Sequence, residues 1–190
     1  MNGVVAAVVV AAGRGFRAGG EGPKQYREIG GEPIIRSSLK GLAGHPGIAM
    51  VQPVIHPDDA ALFRAAAEGL DVLAPVFGGA TRQASVRAGL EMLSARKPDL
   101  VLVHDAARPF ASAALIARGI AAARDSGAAI PALAIADTVK TVDPSGVVTG
   151  TVERAQLRLV QTPQAFAFAT LLAAHQRAHA AHRSSFRDRG

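Results

Sequence analysis

Apolar runs and amphipathic, alanine-rich stretches alternate along most of this chain, and that alternation leaves few architectures open. Val4–Ala12 is apolar throughout and reads as a fully buried strand. Further strands are expected at Met50–Ile55, Val72–Val76, Leu100–Val103 and Ala128–Ala134. Helices are expected over Pro33–Gly44, after Asp58, over Thr81–Ala95 and over Ser112–Ser126, with Asp58 and Ser112 as caps. Continuous apolar strands separated by helices imply an α/β fold with a mostly parallel, Rossmann-like sheet sandwiched by helices. In such sheets ligands bind beyond the carboxyl ends of the strands.

Between Asp137 and Gln161 the rhythm breaks. Thr138–Val142 and Val147–Glu153 are β-rich, and Asp143-Pro144-Ser145-Gly146 between them is a turn signal. A protruding β-hairpin arm over about residues 137–161 is expected. Two strands alone are marginal in water, so a second subunit is its simplest partner. No repeat or linker divides the chain, and 190 residues suit a single domain spanning 1–190.

Composition excludes several classes. There is no cysteine, hence no disulfide framework, thiolate metal site or cysteine nucleophile. The Val4–Ala12 run lacks the basic flank and cleavage site of a secretory signal and is too short to span a bilayer. A soluble, cytoplasmic protein without membrane partners is expected. The formal charge is +6, but arginine far outnumbers lysine, the arginines are scattered, and aromatics are scarce. Nucleic-acid binding would call for a basic stripe with stacking aromatics.

Four segments carry chemistry. In the first, the opening strand runs into Ala11-Ala12-Gly13-Arg14-Gly15-Phe16-Arg17, followed by Pro23-Lys24-Gln25-Tyr26. Glycines let backbone N–H groups approach a phosphate chain, and Arg17 and Lys24 add cations suited to a triphosphate and its departing pyrophosphate. The Walker pattern is absent. Gly13-x-Gly15-x-x-Ala18 matches the loose dinucleotide fingerprint, but glycines and Pro23 follow where a helix should start. His56-Pro57 occupy the place of the ribose-binding acid. A plain glycine-rich turn is the remaining alternative.

In the second, His104-Asp105-Ala106-Ala107-Arg108-Pro109 ends a strand. Asp105 there can hold a magnesium ion bridging phosphates, and Arg108 can pair with an anion. A capping Asp beside a structural Arg is the bland alternative. In the third, Gly78-Gly79-Ala80-Thr81-Arg82-Gln83-Ala84-Ser85 opens a helix and suits a nucleotide, or is an ordinary start capped by Thr81. The fourth set is Asp137–Lys140, Glu153-Arg154 and Gln161–Gln164, where Thr138, Arg154 and Thr162 can meet a second, phosphorylated substrate.

Together, Ala11–Arg17, Pro23–Tyr26, Val101–Pro109, Asp137–Lys140 and Leu159–Phe166 resemble the 2-C-methyl-D-erythritol 4-phosphate cytidylyltransferases, in order and spacing from Val4 to about His182. The loop Arg14–Gly20 also resembles the amino-terminal half of the bifunctional form, which is fused to a cyclodiphosphate synthase. The resemblance implies a nucleotidyltransferase fold, Mg²⁺ or another divalent cation, CTP and methylerythritol phosphate as substrates, and a homodimer with exchanged arms. It implies Arg17 and Lys24 as catalytic cations. Ala11, Ala12, Gly13, Gly15, Gly79, Arg82 and Ser85 would form or adjoin the CTP site. Asp105, Arg108, Thr138, Arg154 and Thr162 would bind the acceptor, Thr138 and Arg154 coming from the neighbouring subunit. The family continues with an acidic Thr-Asp-Asp-like stretch and an Asn-x-Lys element. Here Phe186-Arg187-Asp188-Arg189-Gly190 stands instead, so the end of the domain is expected to be missing. Ribitol 5-phosphate cytidylyltransferases share most of these motifs. A nucleotide-binding domain without turnover and a dinucleotide oxidoreductase are the rivals from other classes.

Three features look functional without pointing to a site. His175, His179 and His182 share helical spacing but read as a solvated face. His104 beside Asp105 suggests a hydrolase, yet no G-x-S-x-G elbow exists. Asp58-Asp59 reads as a helix start.

Overall fold

A computed structural model describes residues 3–14 and 22–187, with the backbone alone over 182–187. The elements in chain order are β1 (Val5–Ala11), β2 (Glu28–Ile29), β3 (Glu32–Pro33), α1 (Ile34–Ala43), β4 (Met50–Ile55), α2 (Ala60–Ala66), β5 (Val76–Phe77), α3 (Arg82–Leu93), β6 (Leu100–Asp105), α4 (Ala113–Ser126), β7 (Ala128–Ala129), β8 (Ala132–Ala134), β9 (Val139–Val142), β10 (Val148–Val152), β11 (Arg158–Val160), β12 (Gln164–Ala167) and α5 (Phe168–Arg187). The main sheet has the order β5-β4-β1-β6-β12-β7. Its first four strands are parallel, and β12 runs antiparallel to both β6 and β7.

Alternation along β1 builds both halves of the core. Val5, Ala7, Val9 and Ala11 face one side, where α1, α2 and α4 supply Ile35, Leu39, Leu42, Phe63, Ile116 and Ile120. Ala6 and Val8 face the other, against Val86, Leu90 and Leu93 of α3 and Phe168 of α5. Burial on two faces is why the run has no polar positions. The small residues set how closely the helices approach. A Cβ placed on Gly89 would lie 2.7 Å from Val8 Cγ1 and 2.9 Å from Val54 Cγ2, so α3 sits on the sheet at a distance only glycine permits.

Most expected elements form within a residue or two; Ser112 caps α4 as expected, and Thr81 caps α3, the alternative open for that segment. Three differ. Of the strand expected at Val72–Val76, only Val76–Phe77 forms regular pairs with β4. Pro75 has no N–H, and the buried side chain of Gln52 bridges the gap by donating to the Ala74 carbonyl at 2.9 Å. The strand expected at Ala128–Ala134 splits at Ile130-Pro131, because proline cannot continue the ladder. Its second half, β8, leaves the main sheet and pairs with β11. Asp58 does not cap α2. It lies in a 3₁₀ turn over Pro57–Asp59 whose N-cap is His56, with the Asp58 N–H donating to His56 Nδ1.

Residues 132–160 thus form an excursion closed at its root by the Gln161 N–H donating to the Pro131 carbonyl at 2.8 Å. Within it β9 and β10 pair as an antiparallel hairpin, and the Asp143 carboxylate organises the turn by accepting from Ser145 and the Val147 N–H. On α5, His175 is half-buried against α3, not solvated as expected, and burial lowers its pKa. His179 is exposed. No helix among the described residues is long and apolar enough to cross a membrane.

Gly89→Ala should destabilise the fold. Overpacking costs about 1–3 kcal/mol, against a helix-propensity gain of at most about 1 kcal/mol. The expected result is a thermal midpoint a few degrees lower. A midpoint at or above wild type would show that Val8 and Val54 give way.

Candidate functional site

Strand β1 lies where the chain order reverses, with β4 on one side and β6 on the other, and ligands of such sheets bind at that point. The register places Val10 opposite Asp105. The Ala106 N–H donates to the Val10 carbonyl at 3.0 Å, so the ends of β1 and β6 are locked side by side. Beyond β1 the chain passes through buried Ala12 to exposed Gly13. Gln25, 4 % exposed, donates through Nε2 to the carbonyls of Ala11 at 2.7 Å and Gly13 at 3.1 Å. Arg14 is tied to the buried Asp59 at 3.0 Å and to Asp58 at 3.7 Å. Gly15 and Arg17 lie outside the described residues.

Lys24 is exposed on the 3₁₀ turn Lys24–Tyr26, one residue before Gln25. It lines a cavity of about 790 Å³ with Arg108, Gln161 and Thr162, and the remaining wall is largely apolar. Arg108 donates to Gln161 Oε1 and reaches Asp105 Oδ2 through Nε at 3.4 Å. Arg82, at the first turn of α3, grips Asp105 Oδ1 through Nε at 2.9 Å and Nη2 at 2.8 Å. Thr162 Oγ1 accepts the Asp105 N–H at 3.3 Å and pairs with His104 Nδ1 at 3.0 Å. The other ring nitrogen of His104, Nε2, faces the Arg108 carbonyl at 3.0 Å. Burial holds the His104 pKa below its ordinary value, outweighing the Arg108 carbonyl and the Asp105 charge, which act in the opposite sense. Six residues from distant parts of the sequence therefore meet at one sheet edge: Lys24, Arg82, His104, Asp105, Arg108 and Thr162.

The loop before α3 is ordered from within. A Cβ on Gly78 would fall 2.4 Å from Ala12 Cβ and 2.6 Å from Ser85 Oγ, so this glycine lets the loop close on β1. The Gly79 N–H donates to Ser85 Oγ at 3.2 Å, and that hydroxyl in turn lies 3.0 Å from the Thr81 carbonyl. Ser85 is 2 % exposed, so it supports the loop from behind. Thr138 and Arg154 stand elsewhere, at the root of the β9–β10 hairpin. Both are exposed, and Arg154 donates to the Ala136 carbonyl. Neither lines the cavity.

No cluster of three metal-ligating side chains occurs among the described residues. Asp105 has both oxygens in ion pairs with guanidinium groups. Magnesium sites often take one or two carboxylates plus substrate phosphates. The residues fit such an ion only if phosphate oxygens supply most ligands and Arg82 yields its place on Asp105.

Residues 5–187 match the sequence model of the 2-C-methyl-D-erythritol 4-phosphate cytidylyltransferases. The chain belongs to this family. It is 56% identical over 183 residues to the bifunctional enzyme IspD/IspF of Nitrobacter winogradskyi, covering 96% of this chain and 46% of that protein. It is 58% identical over 173 residues to that of a Bradyrhizobium species, covering 91% and 44%. The chain thus spans about half the length of the curated relatives it matches. Among solved structures, the 4-diphosphocytidyl-2C-methyl-D-erythritol synthase of Anaerococcus prevotii superposes with a TM-score of 0.81 at 33% identity, over 94% of this chain and 76% of that one. The 2-C-methyl-D-erythritol 4-phosphate cytidylyltransferase of Thermus thermophilus gives 0.74 at 38% identity, over 92% and 76%. The mixed α/β fold with a mostly parallel sheet is that of the family.

Sequence reasoning singled out Lys24, Arg108 and Thr162, which line the cavity, but missed the residues that hold the site together. Gln25 was visible as a polar residue inside the Lys24 motif, and its burial is the missing signal. His104 reads as a hydrolase lure until its ring is seen clamped between Thr162 and Arg108. Asp59 is an anchor for Arg14, not merely the start of a helix.

Gln25→Leu removes both donors from the Ala11 and Gly13 carbonyls and should cost about 1–3 kcal/mol in denaturant unfolding. Unchanged stability would mean that water replaces the amide. His104 should also make the fold acid-sensitive. Its folded pKa is lowered from 6.5, so below that pH the unfolded chain takes up a proton that the folded one refuses. Stability is therefore lost progressively as pH falls below 6.5. Unfolding at pH 7.5 and 5.5 should show a smaller loss for His104→Asn than for wild type, and equal losses would contradict the assignment.

Proposed function

We propose that this chain is the cytidylyltransferase part of its protein, transferring a cytidylyl group from CTP to 2-C-methyl-D-erythritol 4-phosphate with release of diphosphate. The observation that carries the reading is the convergence of Lys24, Arg108 and Thr162 on one cavity beside Asp105, at the switch point of a sheet that belongs to this family. A rival acceptor such as ribitol 5-phosphate is separated by an acceptor panel assayed by diphosphate release.

The chemistry asks little of covalent catalysis. A phosphate monoester has a second pKa of about 6 and is already largely dianionic near neutrality, so it needs no general base. One of its oxygens attacks the α-phosphorus in line, and the bond to the bridging oxygen of diphosphate breaks. Protein groups must then align two anions and neutralise charge on the α-phosphate and the leaving group. The position of Lys24 on the cavity wall supports this role for it, with Arg17 its expected companion. Gly13 and the Ala11–Ala12 backbone, pinned by Gln25, offer close approach to the triphosphate. Arg82 and Arg108 both pair with the Asp105 carboxylate, which supports its reading as part of the acceptor site. A divalent cation, Mg²⁺ by expectation, would neutralise phosphate charge when bound with the nucleotide. A cytoplasmic setting suits substrates of this kind.

The β9–β10 hairpin and the exposed Thr138 and Arg154 support a homodimer in which each arm completes the partner's acceptor site.

Lys24→Ala should lower turnover at least about a hundredfold, or 2.7 kcal/mol, in a diphosphate-release assay. Near-normal turnover would end its catalytic role. Mixing inactive Lys24→Ala with inactive Arg154→Ala should restore about a quarter of wild-type activity. Half the dimers would be mixed, and each of these would carry one intact site. No recovery after subunit exchange would place both residues in the same protomer's site.

A further inference from the structure

The chain leaves β1 through Gly13 and Arg14 and is back at the same sheet edge at Lys24–Tyr26, where Gln25 bonds to the Ala11 and Gly13 carbonyls. A second brace comes from the β4 side. The ladder pairs Ala11 with Ile55, so the 3₁₀ turn Pro57–Asp59 after β4 stands beside the chain leaving β1. Asp59 is fixed there by its own N–H, which donates to the His56 carbonyl at 3.0 Å. Its side chain is 4 % exposed, and Oδ1 accepts from Arg14 Nη1 at 3.0 Å. Arg14 also reaches Asp58 Oδ2 through Nη2 at 3.7 Å. Asp59 Oδ2 is buried and meets no hydrogen-bond partner among the described residues, and the same is true of the Tyr26 hydroxyl. The two groups feel each other, since the Asp59 charge adds to burial in raising the Tyr26 pKa. Tyr26 in turn packs against the core cluster that α1 and α2 share. One buried acid therefore grips the outgoing stretch and lies within electrostatic reach of the incoming one.

We infer that Asp59 is a positioning residue for cytidylyl transfer, which through Arg14 and Tyr26 sets the placement of Gly13 and Lys24 against the nucleotide. The inference rests on the cytidylyltransferase reading above, in which Gly13 meets the triphosphate and Lys24 the reacting phosphate. A carboxylate beside a stretch that has to accept a triphosphate repels the ligand. Burying it also works against the fold unless it is paired. Its position ahead of α2 does not account for either cost, because the Asp59 side chain makes no capping bond to that helix. What the carboxylate does is hold Arg14, whose guanidinium is thereby engaged by the protein and not left to the ligand. Arg14 becomes an anchor for the backbone next to Gly13, whose carbonyl Gln25 also holds. Lys24 and Tyr26 share one 3₁₀ turn, so a shift of one moves the other. A displacement of about 1 Å at a catalytic group can lower a rate about a hundredfold.

Asp59→Asn, Arg14→Met and the two changes combined test this in the whole protein, by diphosphate release and by thermal unfolding. Asp59→Asn removes a negative charge near the nucleotide, so charge alone predicts an equal or higher kcat/KM for CTP. Positioning predicts the reverse, a fall of about ten- to a hundredfold. Arg14→Met leaves the buried acid unpaired and should lower the thermal midpoint by several degrees. The double variant, with neither charge, should regain most of the midpoint but not the turnover. Arg14→Lys, which keeps the pair with Asp59, should retain most of the turnover. Turnover that returns together with stability in the double variant makes Asp59 a structural residue only and overturns the inference. An undiminished kcat/KM in Asp59→Asn does the same. Should the single changes prevent folding, the double variant and Arg14→Lys still decide. A wild-type protein that releases no diphosphate from CTP and the polyol phosphate brings down the cytidylyltransferase reading itself. Normal release by wild type beside an unimpaired double variant removes only the role given to Asp59.

Discussion

The parallel ladder between β1 and β6 sets everything else in the site. Register in a sheet is stepwise: sliding one strand by a residue turns every side chain to the other face. Here both faces of β1 are buried against different helices, so no such slip is tolerated. Packing thereby fixes Val10 beside Asp105, and with it the distance between the loop that follows β1 and the acidic end of β6. Local bonds such as the Ala106 N–H to the Val10 carbonyl then lock the two ends together. The hydrophobic core supplies the alignment, and the chemistry at the edge inherits the precision of the interior.

Around that edge the structure uses neutral polar groups to hold charged ones. Gln25, His104 and Ser85 are almost fully buried; Gln25 and Ser85 bond to backbone, and His104 bonds to one backbone carbonyl and one hydroxyl. A buried amide, ring or hydroxyl costs little once its partners are satisfied, whereas a buried ion would cost several kcal/mol. The charged residues Lys24, Arg82 and Arg108 stay at the surface, where desolvation is small until a ligand arrives. The exception is Asp59, whose burial is offset by the Arg14 guanidinium. Its neighbour Tyr26 pays for that arrangement, since burial and then the Asp59 charge push the phenol pKa up.

Much of this was legible in the chain. Val4–Ala12 announces itself because a strand buried on two faces tolerates no polar residue, and Asp105 because a lone acid ends an apolar run. Thr81 and Ser112 were readable as caps because capping is local. What was hidden depends on partners far apart in sequence. Nothing near His104 reveals that Thr162 will stand against it, and nothing near Gln25 reveals that its amide turns back to β1. The split of the run Ala128–Ala134 was signalled by Pro131 but overridden by the hydrophobicity around it. The expected roles of Gly15 and Arg17 concern residues outside those described, and those of Thr138 and Arg154 turn on a second subunit.

The excursion over residues 132–160 leaves and rejoins the body of the molecule at a single point, where the Gln161 N–H meets the Pro131 carbonyl. Its strands share no ladder with the main sheet. Such a detour is a cassette: because its ends already touch, a short linker between Pro131 and Gln161 closes the gap at little entropic cost. The cassette can then vary in length and sequence while the main sheet beneath it stays as it is.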